Sequence, residues 1–381
     1  MTGCMTAARS DWAGWALRNS QQLSGLSAAQ WEPVIRQARR ADVLARIAVQ
    51  IQTTGGLDAV PAAPRAHLLA ALQLWRAQQQ EVRLEAAFIA QALRSQGVPV
   101  VLLKGAAYVL ADLPAAQGRL FADIDILVPR AALAEVEGAL RLGGWMGSHL
   151  DAYDQRYYRQ WMHELPPMTH LRRGTTLDVH HNILPITVRR PPDALLLLAQ
   201  ARPLPAQPGL WVLAPADMVL HSMAHLFHND DLSHGLRDLS DLDLLLRHHG
   251  VEGDFWSQLL ARASLLHLTR PLAYGLWATR QLLGTPVPEA VLAQAEQDSA
   301  GWGRAAMHWL WRRALRSPHV DAAMPGTGLA HFALYLRAHW LRMPPLMLVR
   351  HLSIKAWKRL TAKPAPAVVA VAMPPLGPPE G

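Results

Sequence analysis

Along the first hundred residues apolar side chains recur at three- and four-residue steps, with Leu68, Leu69, Leu72 and Trp75 followed by Val82, Leu84 and Phe88. That period predicts helices over 11–52 and 64–96, separated by the helix-breaking TTGGLDAVPAAP. The pattern then changes. Short aliphatic runs predict strands near 99–103, 122–128 and 175–180, with a helix near 130–142 that stops at Gly143-Gly144. After the proline-dense RPLPAQPGLW the helical period returns through 217–228, 236–249, 255–283, 301–315 and 328–342. From Ala362 onward AKPAPAVVAVAMPPLGPPEG reads as a disordered tail. The class predicted is α+β, organised as an N-terminal helical region (1–96), an α/β core (97–213), a helical C-terminal part (214–361) and the tail (362–381).

The densest chemistry lies between residues 98 and 128. In FADIDILV, alternation along a strand sends Asp123 and Asp125 to one face, about 7 Å apart, and Ile124, Ile126 and Val128 to the other. Two carboxylates aimed at one point need a cation or water before them, and Mg²⁺ suits a few carboxylate oxygens completed by water and phosphates. The plain alternative is an edge strand with a solvated acidic face. On either reading the two repel each other, so replacing either aspartate by asparagine should leave the fold intact or slightly more stable.

Upstream, VVLLKGAA ends a strand in Lys104-Gly105 and runs into a short helix. Glycine lets backbone approach a ligand, a helix N-terminus offers free N–H groups to a phosphate, and Lys104 adds a positive charge. Among 37 basic residues only four are lysines, and the other three fall at 355, 358 and 363. Arg119 is a second candidate for a phosphate contact, with a rim salt bridge as its alternative.

The order Leu-Lys-Gly, a lone arginine, then Asp-Ile-Asp-Ile-Leu-Val resembles the uncharacterised nucleotidyltransferase-like group of the DNA polymerase β superfamily. The resemblance spans roughly 98–250, most specifically in its first thirty residues. It implies a small mixed β-sheet core and a third carboxylate at Asp178 in TTLDVHHNI, with Asp123, Asp125 and Asp178 holding Mg²⁺ or Mn²⁺. Lys104, Gly105 and Arg119 would bind the nucleotide, and His225 and Asp241 match recurrent polar positions of the helical half. One departure is Gly105-Ala106, where better-characterised branches carry Gly-Ser. The function implied is transfer of a nucleoside monophosphate from an NTP to a hydroxyl of a small molecule or peptide. The rival is a catalytically silent nucleotide- or partner-binding module with the same fold.

Composition narrows the partners. A net charge of +8 permits polyanion binding, but arginine-rich, alanine- and leucine-rich usage is equally what a GC-rich genome writes. The basic residues form no stripe, and 217–342 mixes Asp230, Asp231, Asp238, Asp241, Asp243, Glu252 and Asp254 among them, so a nucleic-acid acceptor is not expected. A single cysteine, Cys4, fits a reducing compartment, and with no leader-like or spanning apolar run the expectation is cytoplasm.

Other histidines carry weaker signals. His221, His225 and His228 share one helical face and could bind a transition metal, although cleft-lining is the commoner role. His180 and His181 follow Asp178 directly, and His180 shares its face. The amphipathic LMLVRHLSIKAWKRL (346–360) could touch an anionic membrane surface or dock on its own domain.

Overall fold

The computed structural model describes residues 11–147, 161–299 and 303–342; Cys4, the amphipathic run 346–360 and the tail from 362 lie outside them. The α+β class holds, because among the described residues helices surround one mixed sheet of seven strands. The strands are β1 (Val100–Leu103), β2 (Ile124–Leu127), β3 (Trp145–Gly147), β4 (Met168–His170), β5 (Thr176–His180), β6 (Arg202–Pro203) and β7 (Leu210–Val212). They lie in the order β3-β4-β5-β2-β1-β7-β6. β1 runs antiparallel to β2 and parallel to β7, while β2 runs parallel to β5. Every residue of β1 and β2 is buried, which is why these two central strands read as continuous apolar runs interrupted only at Asp125.

The three strands expected from sequence are present, trimmed by a residue or two. The remaining four have two or three residues each, too few for a two-residue period to stand out.

The predicted 11–52 helix is three helices, Trp12–Arg18, Ala28–Arg40 and Leu44–Thr53. Ser27 starts the second with a capping box to Gln30, and Asp42, at φ +56°, turns the chain before the third. The next helix, Ala62–Leu93, is continuous and packs on the helices Lys104–Leu110 and Leu133–Leu142. In the C-terminal half the predicted 255–283 helix breaks where His267 takes φ +59°, leaving Phe255–Leu265 and Thr269–Ala278.

A buried cluster of charge ties the layers together. Asp241, on the helix Gly235–His249, accepts from Arg119 Nε at 2.7 Å and pairs with Arg46 Nη2 at 2.7 Å. Arg46 comes from Leu44–Thr53 and also donates to the carbonyls of Ala115 and Gln117 in the β1–β2 connection. Gly118, at φ +67°, sits against this arginine so closely that a Cβ would fall 2.2 Å from Arg46 Cα. Only glycine fits there.

Candidate active site

β1 ends at Leu103, and Lys104 follows with φ +44°, a left-handed conformation that costs a non-glycine residue about 1–3 kcal/mol. Its Nζ lies 3.0 Å from Asp125 Oδ1 on the neighbouring β2. The same oxygen meets His180 Nε2 at 2.9 Å. The parallel register sets Asp125 directly beside Asp178 of β5, and Asp123 stands just before β2 at the rim. All of these groups line one cavity of about 260 Å³. Its far wall comes from the helix Pro215–His228, with His221, His225 and His228, and from Arg342. The segment before β4 closes the remaining side: Leu165 N–H donates to Val179 O and His181 N–H to His163 O, each at 2.8 Å, which lays His163 and Glu164 along the end of β5.

Charge is unevenly balanced within this cavity. Burial would raise Asp125, but the Lys104 charge and the hydrogen bond to His180 outweigh it and hold the carboxyl well below the usual range. The partners respond in kind: burial would lower Lys104 and His180, yet Asp125 holds both above their ordinary values. Asp178 has no hydrogen-bonded cation among the described residues. Burial, then repulsion from Asp125 and Glu164, push its carboxyl up to about 7, and its Oδ1 is buried with no hydrogen-bond partner among the described residues. Desolvation at the rim and repulsion from Asp125 raise Asp123 as well. Across the cavity, burial reinforced by Lys104 depresses His221 and His225 well below the normal imidazole range, and burial together with Arg337 takes His228 to about 4.

A family profile described as uncharacterised nucleotidyltransferase matches residues 27–284. The chain belongs to that family. No curated protein and no solved structure matches it. The matched range of this nucleotidyltransferase-family chain holds every cavity residue named above except Arg342.

Of the residues singled out from sequence, Lys104, Asp123, Asp125 and Asp178 come together on one wall. Three carboxylates, one with an unpartnered oxygen and a raised pKa, suit a hard divalent cation such as Mg²⁺ or Mn²⁺. Gly105 and Arg119 are placed differently. A Cβ at Gly105 would lie 2.5 Å from Arg119 Nη1 and 2.6 Å from the Phe121 ring, so the glycine makes room for these side chains. Arg119 is buried, lies over the Phe121 ring and is paired with Asp241; it does not line the cavity. His225 lines the cavity, and its nearest acid is Asp238, at 3.8 Å, from the helical half rather than the sheet. His163 and Glu164 went unnoticed in the sequence. Their run, WMHELPP, has no strand or helix period, and only backbone pairing to β5 brings them in.

Proposed function

We propose that this chain transfers a nucleoside monophosphate from an NTP to a hydroxyl acceptor, a small molecule or a peptide side chain, with Mg²⁺ or Mn²⁺ held by Asp123, Asp125 and Asp178. The observation that carries this reading is the convergence of three carboxylates and Lys104 on one cavity wall, where burial and the neighbouring carboxylates raise Asp178 to about 7. A divalent cation bound there would neutralise the phosphates and the departing pyrophosphate. Lys104 would exchange its contact with Asp125 for the nucleotide's phosphates. Asp178, as the third carboxylate, would help activate the acceptor's hydroxyl, its raised pKa being drawn down once a cation is bound. Arg119 would contribute from behind the wall, by holding the β1–β2 connection against the helical half through Asp241. Family membership supports the nucleotidyltransferase class.

One observation favours the silent-module alternative: Asp125 Oδ1 is already engaged by Lys104 and His180, and Gly105-Ala106 offers no hydroxyl beside them. Incubation with each labelled NTP and Mg²⁺ or Mn²⁺, against panels of metabolites and peptides, decides between the two. Pyrophosphate release with label transfer, lost in Asp178→Asn, is the expected result. Stoichiometric nucleotide binding, seen as a rise in Tm with nucleotide concentration but without release against any acceptor, would establish the module instead.

A further inference from the structure

We propose that His163, Glu164 and His180 form a binding site for a borderline transition-metal ion such as Zn²⁺, distinct in donor chemistry from the carboxylate cluster beside it. The ligand atoms these three residues offer all lie within 4.8 Å of one another. Glu164 Oε2 is 3.3 Å from His180 Nδ1 and 4.0 Å from His163 Nε2. Tetrahedral zinc with bonds of about 2.0–2.2 Å spaces its ligand atoms about 3.3–3.5 Å apart, so the Glu164–His180 separation already fits, the Glu164–His163 separation needs a shift of about half an ångström, and the His163–His180 separation, within 4.8 Å, needs at most about 1.5 Å.

Two further features mark a prepared site. His180 has a side chain only 4% exposed, and its Nδ1 has no hydrogen-bond partner among the described residues, although Glu164 lies close by. Its other nitrogen, Nε2, contacts Asp125 at 2.9 Å. A ligating histidine characteristically gives its second ring N–H to a carboxylate, which fixes the tautomer and turns the free lone pair to the metal. With the Nε2 proton directed to Asp125, His180 presents Nδ1 toward Glu164. The backbone is set too: Glu164 pairs with His180 across an antiparallel bridge, flanked by the 2.8 Å bonds of Leu165 and His181.

Two imidazoles and one carboxylate suit Zn²⁺, Co²⁺ or Fe²⁺ better than Mg²⁺, which prefers oxygen throughout. A metal there would pin the 161–165 segment to the end of β5 and keep His180 a donor to Asp125. The assignment is independent of nucleotide chemistry, so absence of turnover leaves it standing.

The test is a titration of chelator-treated full-length protein with Co²⁺ alone, read by its visible absorption, by Zn²⁺ competition and by native mass spectrometry. With millimolar Mg²⁺ occupying the carboxylate cluster, one Co²⁺ per chain is expected, with the strong bands of four- or five-coordination, displaced by Zn²⁺. Loss of even an outer-shell partner typically weakens metal affinity about 10–100-fold, so His163→Ala and Glu164→Gln, which remove ligands, should each weaken Co²⁺ by at least about tenfold. Asp123→Asn should leave the spectrum in place. Failure to develop the spectrum, its survival in Glu164→Gln, or its loss in Asp123→Asn alone would overturn the site. Glu164→Gln preserves side-chain shape and decides the matter if His163→Ala does not fold.

Discussion

Asp123 and Asp125 are two residues apart in sequence, yet their carboxyls meet different surroundings, and their asparagine variants should move stability in opposite directions. Asp123 is raised by burial and by repulsion from Asp125, which the Lys104 charge only partly offsets, so Asp123→Asn should leave the melting temperature unchanged or slightly raised. Asp125 is the shared partner of Lys104 and His180, so Asp125→Asn should cost about 3–5 kcal/mol, the usual penalty for breaking a buried pair from one side. The expectation from sequence, relief in both variants, is therefore kept for Asp123 and withdrawn for Asp125; a chemical-denaturation series on the two proteins checks it. Asp178 contributes its own pH dependence. Its folded pKa of about 7 stands above the unfolded value of about 3.9, so the folded chain keeps a proton that the unfolded chain has released, and this residue's contribution to stability falls as pH rises from about 4 to 7. Asp178→Asn should thus gain stability over the parent at pH 8 and lose that advantage near pH 4. Saturating Mg²⁺ should flatten the difference. Melting curves across pH, with and without the cation, measure both effects.

At the scale of elements, the critical junction is where Arg46, Arg119 and Asp241 meet, because it joins an N-terminal helix, the β1–β2 connection and a C-terminal helix. Asp241→Asn leaves two buried guanidinium groups facing one neutral amide and should destabilise by about 3–5 kcal/mol, measured by urea denaturation. Gly105→Ala should act at the same junction, since its new methyl group would displace Arg119 and Phe121. Its expected signature is a lowered melting temperature with the Co²⁺ spectrum of the histidine site unchanged. The sequence marked Gly105, Arg119 and Asp241 as special positions, but not that they serve one another. A glycine beside a lysine looks the same in a chain whether a phosphate or an arginine comes to fill the space.

For the whole molecule, the question is what a surplus of positive charge is for. Much of the arginine is already paired: Arg173 with Glu85, Arg262 with Asp217, Arg247 with Asp243, and Arg342 with Asp230 at the cavity itself. Among the described residues these pairs offset part of the positive charge, Arg342 at the cavity included. Binding to duplex and single-stranded DNA and RNA should be weaker than micromolar at about 150 mM salt, with a shallow log–log salt slope. A steep slope with micromolar affinity would redirect the acceptor toward RNA.

Periodicity alone, in the sequence, determined the helical layers and the three longest strands, and alternation within FADIDILV was enough to aim Asp123 and Asp125 at one place. These are local properties, written in spacings of two to four residues. What the tertiary structure decided is which distant groups complete them. The parallel pairing of β2 with β5 sets Asp178 beside Asp125, and the bridge from Glu164 to His180 carries a patternless segment into the cavity. The burial of Arg119 against Asp241 takes a candidate phosphate ligand out of the cleft. Strand register and long-range ion pairs depend on contacts between residues from sixteen to more than a hundred positions apart, and no local period encodes them.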